Sequence, residues 1–347
     1  EQMVDIQMGL STPPQTDKYR GENGWVYKDD LRVSGNRAQI ISGEITGNNV
    51  YLRTSPDTTK TPYTQVGRGT KFEYVESVNG QNVSGSTTWY EIIYDNQTLY
   101  VHSSLGSVQA NYYAGPGTNH HLYGSISSTT HNFPIVRQQG DWYELDYKPG
   151  WRNAPRSDVL QYLDPGRQDV FQHLVLSEST GISASELNKV LNGRGVLSGK
   201  GQAFIQAGTT HGINEVYLVS HALLESGNGA SDLAKGVEVG LNASGNPVLV
   251  TTDNRNTLRD IRTVYNMYGI GAYDGCALRC GAIEAYNSEW FTVDSAIIGG
   301  AEFVSKYYFA RGQNTRYKMR WNPDAPGSYQ YATDVGWAAK QINRIKQ

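Results

Sequence analysis

The sequence predicts a multidomain chain in which N-terminal all-β small barrels precede a mainly α, α+β domain with a small β lobe. Three observations carry this. The chain has 347 residues, more than the roughly 100–200 usual for one domain. Up to about residue 150 it is rich in Thr, Ser, Gly, Asn, Tyr and Val in short alternating runs. Beyond about 165, Ala, Leu, Ile and helix-cap signals take over, a switch from strand to helix patterning. Finally, the first part repeats its own outline.

One unit of that repeat opens with Gly47-Asn48-Asn49-Val50-Tyr51-Leu52-Arg53-Thr54-Ser55-Pro56 and passes through Val66-Gly67-Arg68-Gly69-Thr70-Lys71-Phe72-Glu73-Tyr74-Val75. It closes with Trp89-Tyr90-Glu91-Ile92-Ile93-Tyr94 and Tyr100-Val101-His102-Ser103-Ser104-Leu105. Phe72 and Tyr74 face one way and Glu73 and Val75 the other, as in a half-buried strand. Gly67, Gly69 and Asn79-Gly80 supply turns. Ala110 to Pro116 and Trp142 to Tyr147 repeat the outline more weakly, and Trp25 to Leu31 reads as the tail of an earlier unit.

The Leu-Arg-x-x-Pro start, Gly-Thr middle, Trp-Tyr-x-Ile strand and Tyr-Val-x-x-x-Leu end resemble bacterial SH3-like domains. This divides the chain into a remnant over 1–39, an SH3-like domain over 40–108, a divergent second one over 109–160 and a further domain over 161–347. The resemblance implies attachment to cell wall, including peptide stems; for the second unit a plain spacer is an equal alternative.

In the second part, Pro165 ends a linker. Phe171, Leu174 and Val175 fit one helical face. Ser183-Ala184-Ser185-Glu186 is a capping box for a helix through Leu191 that stops at Gly193. Phe204, Ile205 and Ala207 belong to the next helix. Asn214 caps another, from Glu215 to about Ser226, apolar over enough of its circumference to be buried. Glu225 falls in its last turn, before Gly227. There the partial negative charge of the helix end and an apolar setting both push a carboxyl pKa up. A carboxylic acid that keeps its proton near neutral pH is what protonates a glycosidic leaving oxygen. Residues 236–263 form the β lobe around Val248-Leu249-Val250, followed by Tyr265-Asn266-Met267-Tyr268-Gly269-Ile270-Gly271-Ala272-Tyr273-Asp274. Helix, terminal Glu, β lobe and Gly-Ile-Gly segment follow the order of a lysozyme-like cleft.

Composition narrows the classes. Lys+Arg number 30 and Asp+Glu 33, a net charge of −3, which argues against a nucleic-acid binder working through a basic field. Hydrophobic residues at 38% exclude wholesale disorder, and no apolar run approaches the roughly 20 residues of a membrane span. Tyr numbers 24 against 7 Phe, suiting surfaces that need a flat face and a hydroxyl. Cys276 and Cys280 read as unpaired thiols, and His120-His121 has no ligand spacing, so neither cofactor nor metal is expected. Glu1 in place of an initiator Met reads as a mature or excised chain.

Residues from about 165 onward resemble the glucosaminidase domains of bacterial autolysins, glycoside hydrolase family 73. The matching stretches are Ser220 to Gly229, Tyr265 to Asp274, Ala285-Tyr286 with Trp290, Ile298 to Ala301, Asn314 to Pro323, and Tyr331 to Asp334 with Trp337. The resemblance implies a secreted, wall-associated endo-β-N-acetylglucosaminidase that cleaves peptidoglycan glycan strands with Glu225 as general acid. A muramidase or lytic transglycosylase could use the same fold, and an inactive wall-binding protein is the alternative from another class. Glu238, Tyr317 and Asp260 are comparable candidates for the second catalytic group, with attack by the substrate N-acetyl group as the alternative. His221, Asn228, Tyr265, Tyr268, Gly269, Gly271 and Tyr273 are the expected substrate-binding residues. His221, one turn before Glu225, could tune the acid or make a structural hydrogen bond. Trp290, Trp321 and Trp337 are core or subsite residues, with core favoured for the first and last.

Overall fold

The computed structural model describes residues 1–345 and comprises two compact units. One is Pro14–Pro155; the other joins Glu1–Pro13 to the chain from Arg156 onward.

In the Pro14–Pro155 unit, strand follows strand in one hydrogen-bonded path: Gln97–His102, Ser86–Tyr94, Lys71–Val83, Ser42–Ile45, Gly106–Tyr113, Gly24–Tyr27, Trp142–Leu145, Phe133–Gln139, Arg37–Ile40, Leu31–Ser34. Leu122–Ser127 pairs with Gly106–Tyr113 off that path. Alternation sets the faces: Phe72 and Tyr74 are buried, while Glu73 is exposed. One apolar core runs through both halves, from Ile45, Leu52 and Ile92 to Val26, Ile126 and Leu145.

Three expectations are corrected here. Residues 1–39 are not a detached remnant. Trp25 and Tyr27 lie opposite Glu144 and Trp142, Ala38 lies opposite Phe133, and the Gln2–Met8 helix belongs to the other unit. The 109–160 segment is likewise no self-contained barrel, because its strands are completed by those of 24–40. Such pairing across 95 to 121 residues leaves no trace in local periodicity. The hairpin turn sits at Ser84-Gly85, both with positive φ, the backbone a tight hairpin needs. Asn79-Gly80 lies inside the strand. A Cβ on Gly80 would come within 2.4 Å of the Pro56 carbonyl oxygen and 2.6 Å of Trp89, so Gly80 serves close approach rather than turning.

The other unit is mainly helical. The Glu215–Glu225 helix is central, with Tyr217, Leu218 and Ala222 fully buried among Phe204, Ala207, Ile297 and Ala301. Caps act where the sequence places them: Ser183 accepts from the Glu186 N–H, and Asn214 accepts from the Tyr217 N–H at 2.9 Å. The β lobe is a three-stranded antiparallel sheet, ordered Pro247–Leu249, Val237–Leu241, Arg259–Val264. The expected helix over Phe171, Leu174 and Val175 is instead one 3-10 turn, Val170–His173. Those three side chains are all substantially exposed. One turn stopped by extended Leu174 is too short to bury an apolar stripe. Among the described residues no helix is long and apolar enough to cross a membrane.

Candidate active site

The Glu215–Glu225 helix ends where it does because Gly227, Asn228 and Gly229 all take positive φ, at 57°, 61° and 74°. The Asn228 N–H closes back on the Leu223 carbonyl at 2.8 Å, satisfying an end carbonyl as left-handed caps do. Ser226 Oγ donates to the Ala222 carbonyl and accepts from the Gly229 N–H at 2.8 Å. Glu225 is thereby held at the helix terminus with its carboxyl at a pocket.

That pocket, of about 300 Å³, is lined by Glu225, Ser231, Asp232, Leu233, Asn266, Gly269, Ala272, Ala277 and Leu278. The Glu225 side chain is 24% exposed, enough to meet a ligand yet poorly hydrated. Burial is the main cause that pushes its pKa up to about 7; the Trp337 N–H opposes the shift and the Asp334 charge adds to it. Trp337 Nε1 donates to Glu225 Oε1 at 2.9 Å.

Gly269 lies against the other oxygen. A Cβ there would sit 3.1 Å from Glu225 Oε2, and its φ of +65° favours glycine independently. The Gly269 turn is stapled by buried Asn266, whose Nδ2 donates to the Ile270 carbonyl at 2.8 Å and the Gly281 carbonyl at 3.2 Å. Gly271 makes a second close approach, with a Cβ position 2.8 Å from Glu284 Cβ.

His221 Nε2 lies 3.8 Å from Glu225 Oε1, beyond hydrogen-bond reach. Burial first, and Arg316 second, hold its pKa down to about 3, so the imidazole is neutral and the contact is no ion pair. Its Nδ1 shares a 2.8 Å hydrogen bond with Tyr217 Oη. His221 is fully enclosed by Tyr268, Tyr331 and Trp337 rings, which corrects its placement among substrate-binding residues. Tyr268 is corrected likewise: it has no exposed surface, and its hydroxyl donates to the Ile297 carbonyl. Tyr265 is half-buried and Tyr273 is 71% exposed; neither lines the pocket.

The structure does not gather the other catalytic candidates around Glu225. Tyr317 is buried, its hydroxyl donates to the Leu163 carbonyl and its ring lies against His173. Glu238, on the β lobe, is claimed by Arg255 through two 2.9 Å bonds. Asp260, at φ +49°, is exposed, and its carbonyl accepts from Tyr286. None of the three lines the pocket; Asp232 does. The sequence reading overlooked Asp232, though Ser231-Asp232 is a legible helix start: Ser231 caps the Asp232–Lys235 helix. It also overlooked the contact of Trp337 with the acid, for which 112 residues of separation leave no local signal. Trp290, Trp321 and Trp337 are all buried.

Cys276 and Cys280 form a disulfide, overturning the expectation of unpaired thiols. Cys276 immediately precedes the Ala277–Asn287 helix. Positions four apart in the first helical turn are neighbours, and the Cα separation of 5.5 Å is in the usual range for a bridge. Ala277 and Leu278, between the two, form pocket wall. Among the described residues no group of three or more His, Cys, Asp or Glu is arranged to hold a metal.

A carboxyl at a helix end, at the wall of a pocket and with its pKa pushed up to about 7 by burial, defines the class of the helical unit: an acid-bearing cleft of the glycoside hydrolase kind. The chain carries a domain of the glucosaminidase family, with a bacterial SH3 domain ahead of it. Residues 201–347 match the glucosaminidase model, described as mannosyl-glycoprotein endo-beta-N-acetylglucosaminidase, and residues 48–107 match the bacterial SH3 domain model. The chain is 46% identical over 220 residues to the beta-N-acetylglucosaminidase of Bacillus subtilis strain 168, covering 61% of this chain and 22% of that protein. It is 33% identical over 337 residues to a bifunctional autolysin of Staphylococcus epidermidis, covering 93% of this chain and 23% of that protein. The chain thus spans about a fifth of the length of these curated relatives. A crystal structure of a catalytic mutant of Staphylococcus aureus autolysin E with the disaccharide NAG-NAM aligns with a TM-score of 0.47 and 34% identity. It covers 58% of this chain and 80% of that one.

Proposed function

We propose that this chain is an endo-β-N-acetylglucosaminidase that hydrolyses the β-1,4 bond between N-acetylglucosamine and N-acetylmuramic acid in peptidoglycan. The observation that carries the reading is Glu225, a carboxyl at a pocket wall with its pKa pushed up to about 7. The activity named for the Bacillus subtilis relative supports the substrate class.

In the mechanism, Glu225 donates its proton to the glycosidic oxygen as that bond breaks, and positive charge builds on the N-acetylglucosamine ring. The resulting carboxylate recovers its proton from the water that completes hydrolysis. Asp232 shares the pocket wall with Glu225; Glu238 and Asp260 do not line that wall.

Reducing-end analysis of digested cell walls tests the proposal. New termini ending in reduced N-acetylglucosamine are the expected result. Termini ending in reduced or anhydro N-acetylmuramic acid would make the enzyme a muramidase or a lytic transglycosylase.

We place the site of action outside the cell, at the wall, with the Pro14–Pro155 unit as the attachment module. The chain carries a net charge of −3 and the wall is itself anionic, so attachment rests on specific contacts rather than a charge field. Sedimentation with purified walls should show binding that changes less than about threefold between 50 and 500 mM salt, because a Debye-screened field would weaken steeply over that range. A tenfold or greater loss would reveal a local basic patch as the attachment site.

A further inference from the structure

A carboxylic acid has one oxygen that carries the proton and one that behaves as a carbonyl. Which is which decides whether a general acid can reach its leaving group. In Glu225 the two oxygens lie in different surroundings. Oε1 accepts from Trp337 Nε1 at 2.9 Å and faces His221 Nε2 at 3.8 Å. Oε2 lies by Gly269, which with Glu225 lines the pocket.

An indole N–H is a donor only, so the oxygen it meets must act as acceptor. We propose that Trp337 is a positioning residue for the acid: its N–H claims Oε1 as the carbonyl oxygen and so leaves the transferable proton on Oε2, the oxygen beside Gly269 at the pocket. The inference rests on Glu225 being the general acid.

The surroundings of the indole fit this role. Trp337 is buried and stacks on Tyr331 at 5.0 Å between centroids, while Tyr331 Oη donates to the Tyr268 carbonyl at 2.9 Å. The indole is therefore held by Tyr331 on its face and by the His221 ring at 5.6 Å between centroids, with its N–H on the carboxyl. Behind Oε1, the neutral His221 offers no cation that would draw the proton off the acid.

The charged and titratable groups around the carboxyl are few. His221 and Tyr217 lie on its own helix, and Arg316 faces those two from the Arg316–Trp321 helix, with its guanidinium 4.9 Å from the Tyr217 ring. Tyr268 comes from the Gly269 turn. Tyr331 and Asp334 come from the segment before Trp337, with Lys340 bonded to Asp334 at 2.8 Å. Asp232 stands on the pocket wall. The Trp337 indole places a hydrogen-bond donor on the acid at 2.9 Å, and that bond favours the ionised form.

Removing the N–H therefore has a signature that lost packing does not share. Trp337→Phe, and site-specific replacement by β-(3-benzothienyl)alanine, which swaps the N–H for sulfur at the same shape, should each lower kcat about 10- to 100-fold. KM should stay within about threefold. The alkaline limb of the kcat/KM profile should move upward by about half to one pH unit, the size of one lost hydrogen bond to the carboxylate. A carboxyl titration of Glu225, followed by isotope-edited infrared or NMR, should move upward equally, and this reads the bond without reference to turnover. An unmoved or lowered titration in the benzothienyl variant overturns the proposal, as does a kcat within twofold of wild type. Failure of Glu225 as the acid would show separately, as undiminished activity in Glu225→Gln.

Discussion

Glu225→Gln is expected to reduce wall hydrolysis by about 10²- to 10⁴-fold, the contribution of a general acid, and to give no clearing band in a zymogram where the wild type clears. Gln keeps a carbonyl-type oxygen for the Trp337 N–H, so the helix end and pocket remain in place. Equal clearing by both proteins would refute Glu225 as the acid. The same substitution should also change stability in a pH-dependent way. The folded carboxyl has its pKa raised from 4.5 to about 7, chiefly by burial, so the folded state holds the proton more tightly than the unfolded chain. The stability tied to that proton is fully present below about pH 4.5 and is lost as pH rises through about 7. Gln does not titrate. Its stability should match wild type near pH 4 and exceed it at pH 8 by about 1–3 kcal/mol, as read from denaturant midpoints. Equal midpoints at pH 8 would mean that the carboxyl is ordinarily solvated. The wild-type kcat/KM should fall above about pH 7, since the acid must be protonated to act.

Gly300→Ala should be among the most damaging single changes in the helical unit. A Cβ on Gly300 would lie 2.1 Å from Tyr268 Cδ2 and 2.4 Å from Cε2. Tyr268 cannot yield easily: its ring has no exposed surface, its hydroxyl is bonded to the Ile297 carbonyl and its own carbonyl receives Tyr331. Overpacking of this kind costs about 3 kcal/mol, a fall in Tm of about 6–12 °C for a unit of this size. Because Tyr268 adjoins Gly269, the variant should lose activity at temperatures where it remains folded. Calorimetry and activity on the same preparation check both effects. A Tm within 2 °C of wild type would show that the Val293–Tyr307 helix shifts freely.

Much of this was legible in the sequence because it depends on neighbours along the chain. The Asn214 cap, the apolar circumference after it and the Gly227-Asn228-Gly229 stop place Glu225 in a last helical turn by local rules alone. The alternation of Phe72, Glu73, Tyr74 and Val75 fixes which side chains turn inward. The distribution of Tyr also followed from local reading, but its role did not. Tyr268 and Tyr317 read as substrate or catalytic residues because they fall in Tyr-bearing stretches that match the resembled family. The fold instead spends both hydroxyls on backbone carbonyls, at Ile297 and Leu163.

By itself, then, the sequence determined the division into a strand-rich and a helical part, the capped helices and alternating strands within them, and the placing of an acid at a helix end. The tertiary structure decided what surrounds that acid. The indole on Oε1 comes from 112 residues away, Glu238 is claimed by an arginine across the lobe, and the strands of 24–40 complete a sheet with those of 133–145. Periodicity and caps are governed by contacts three or four residues apart. A carboxyl's pKa is set by whatever burial and donors the folded chain brings within a few ångströms, and those partners are chosen by packing rather than by proximity in sequence.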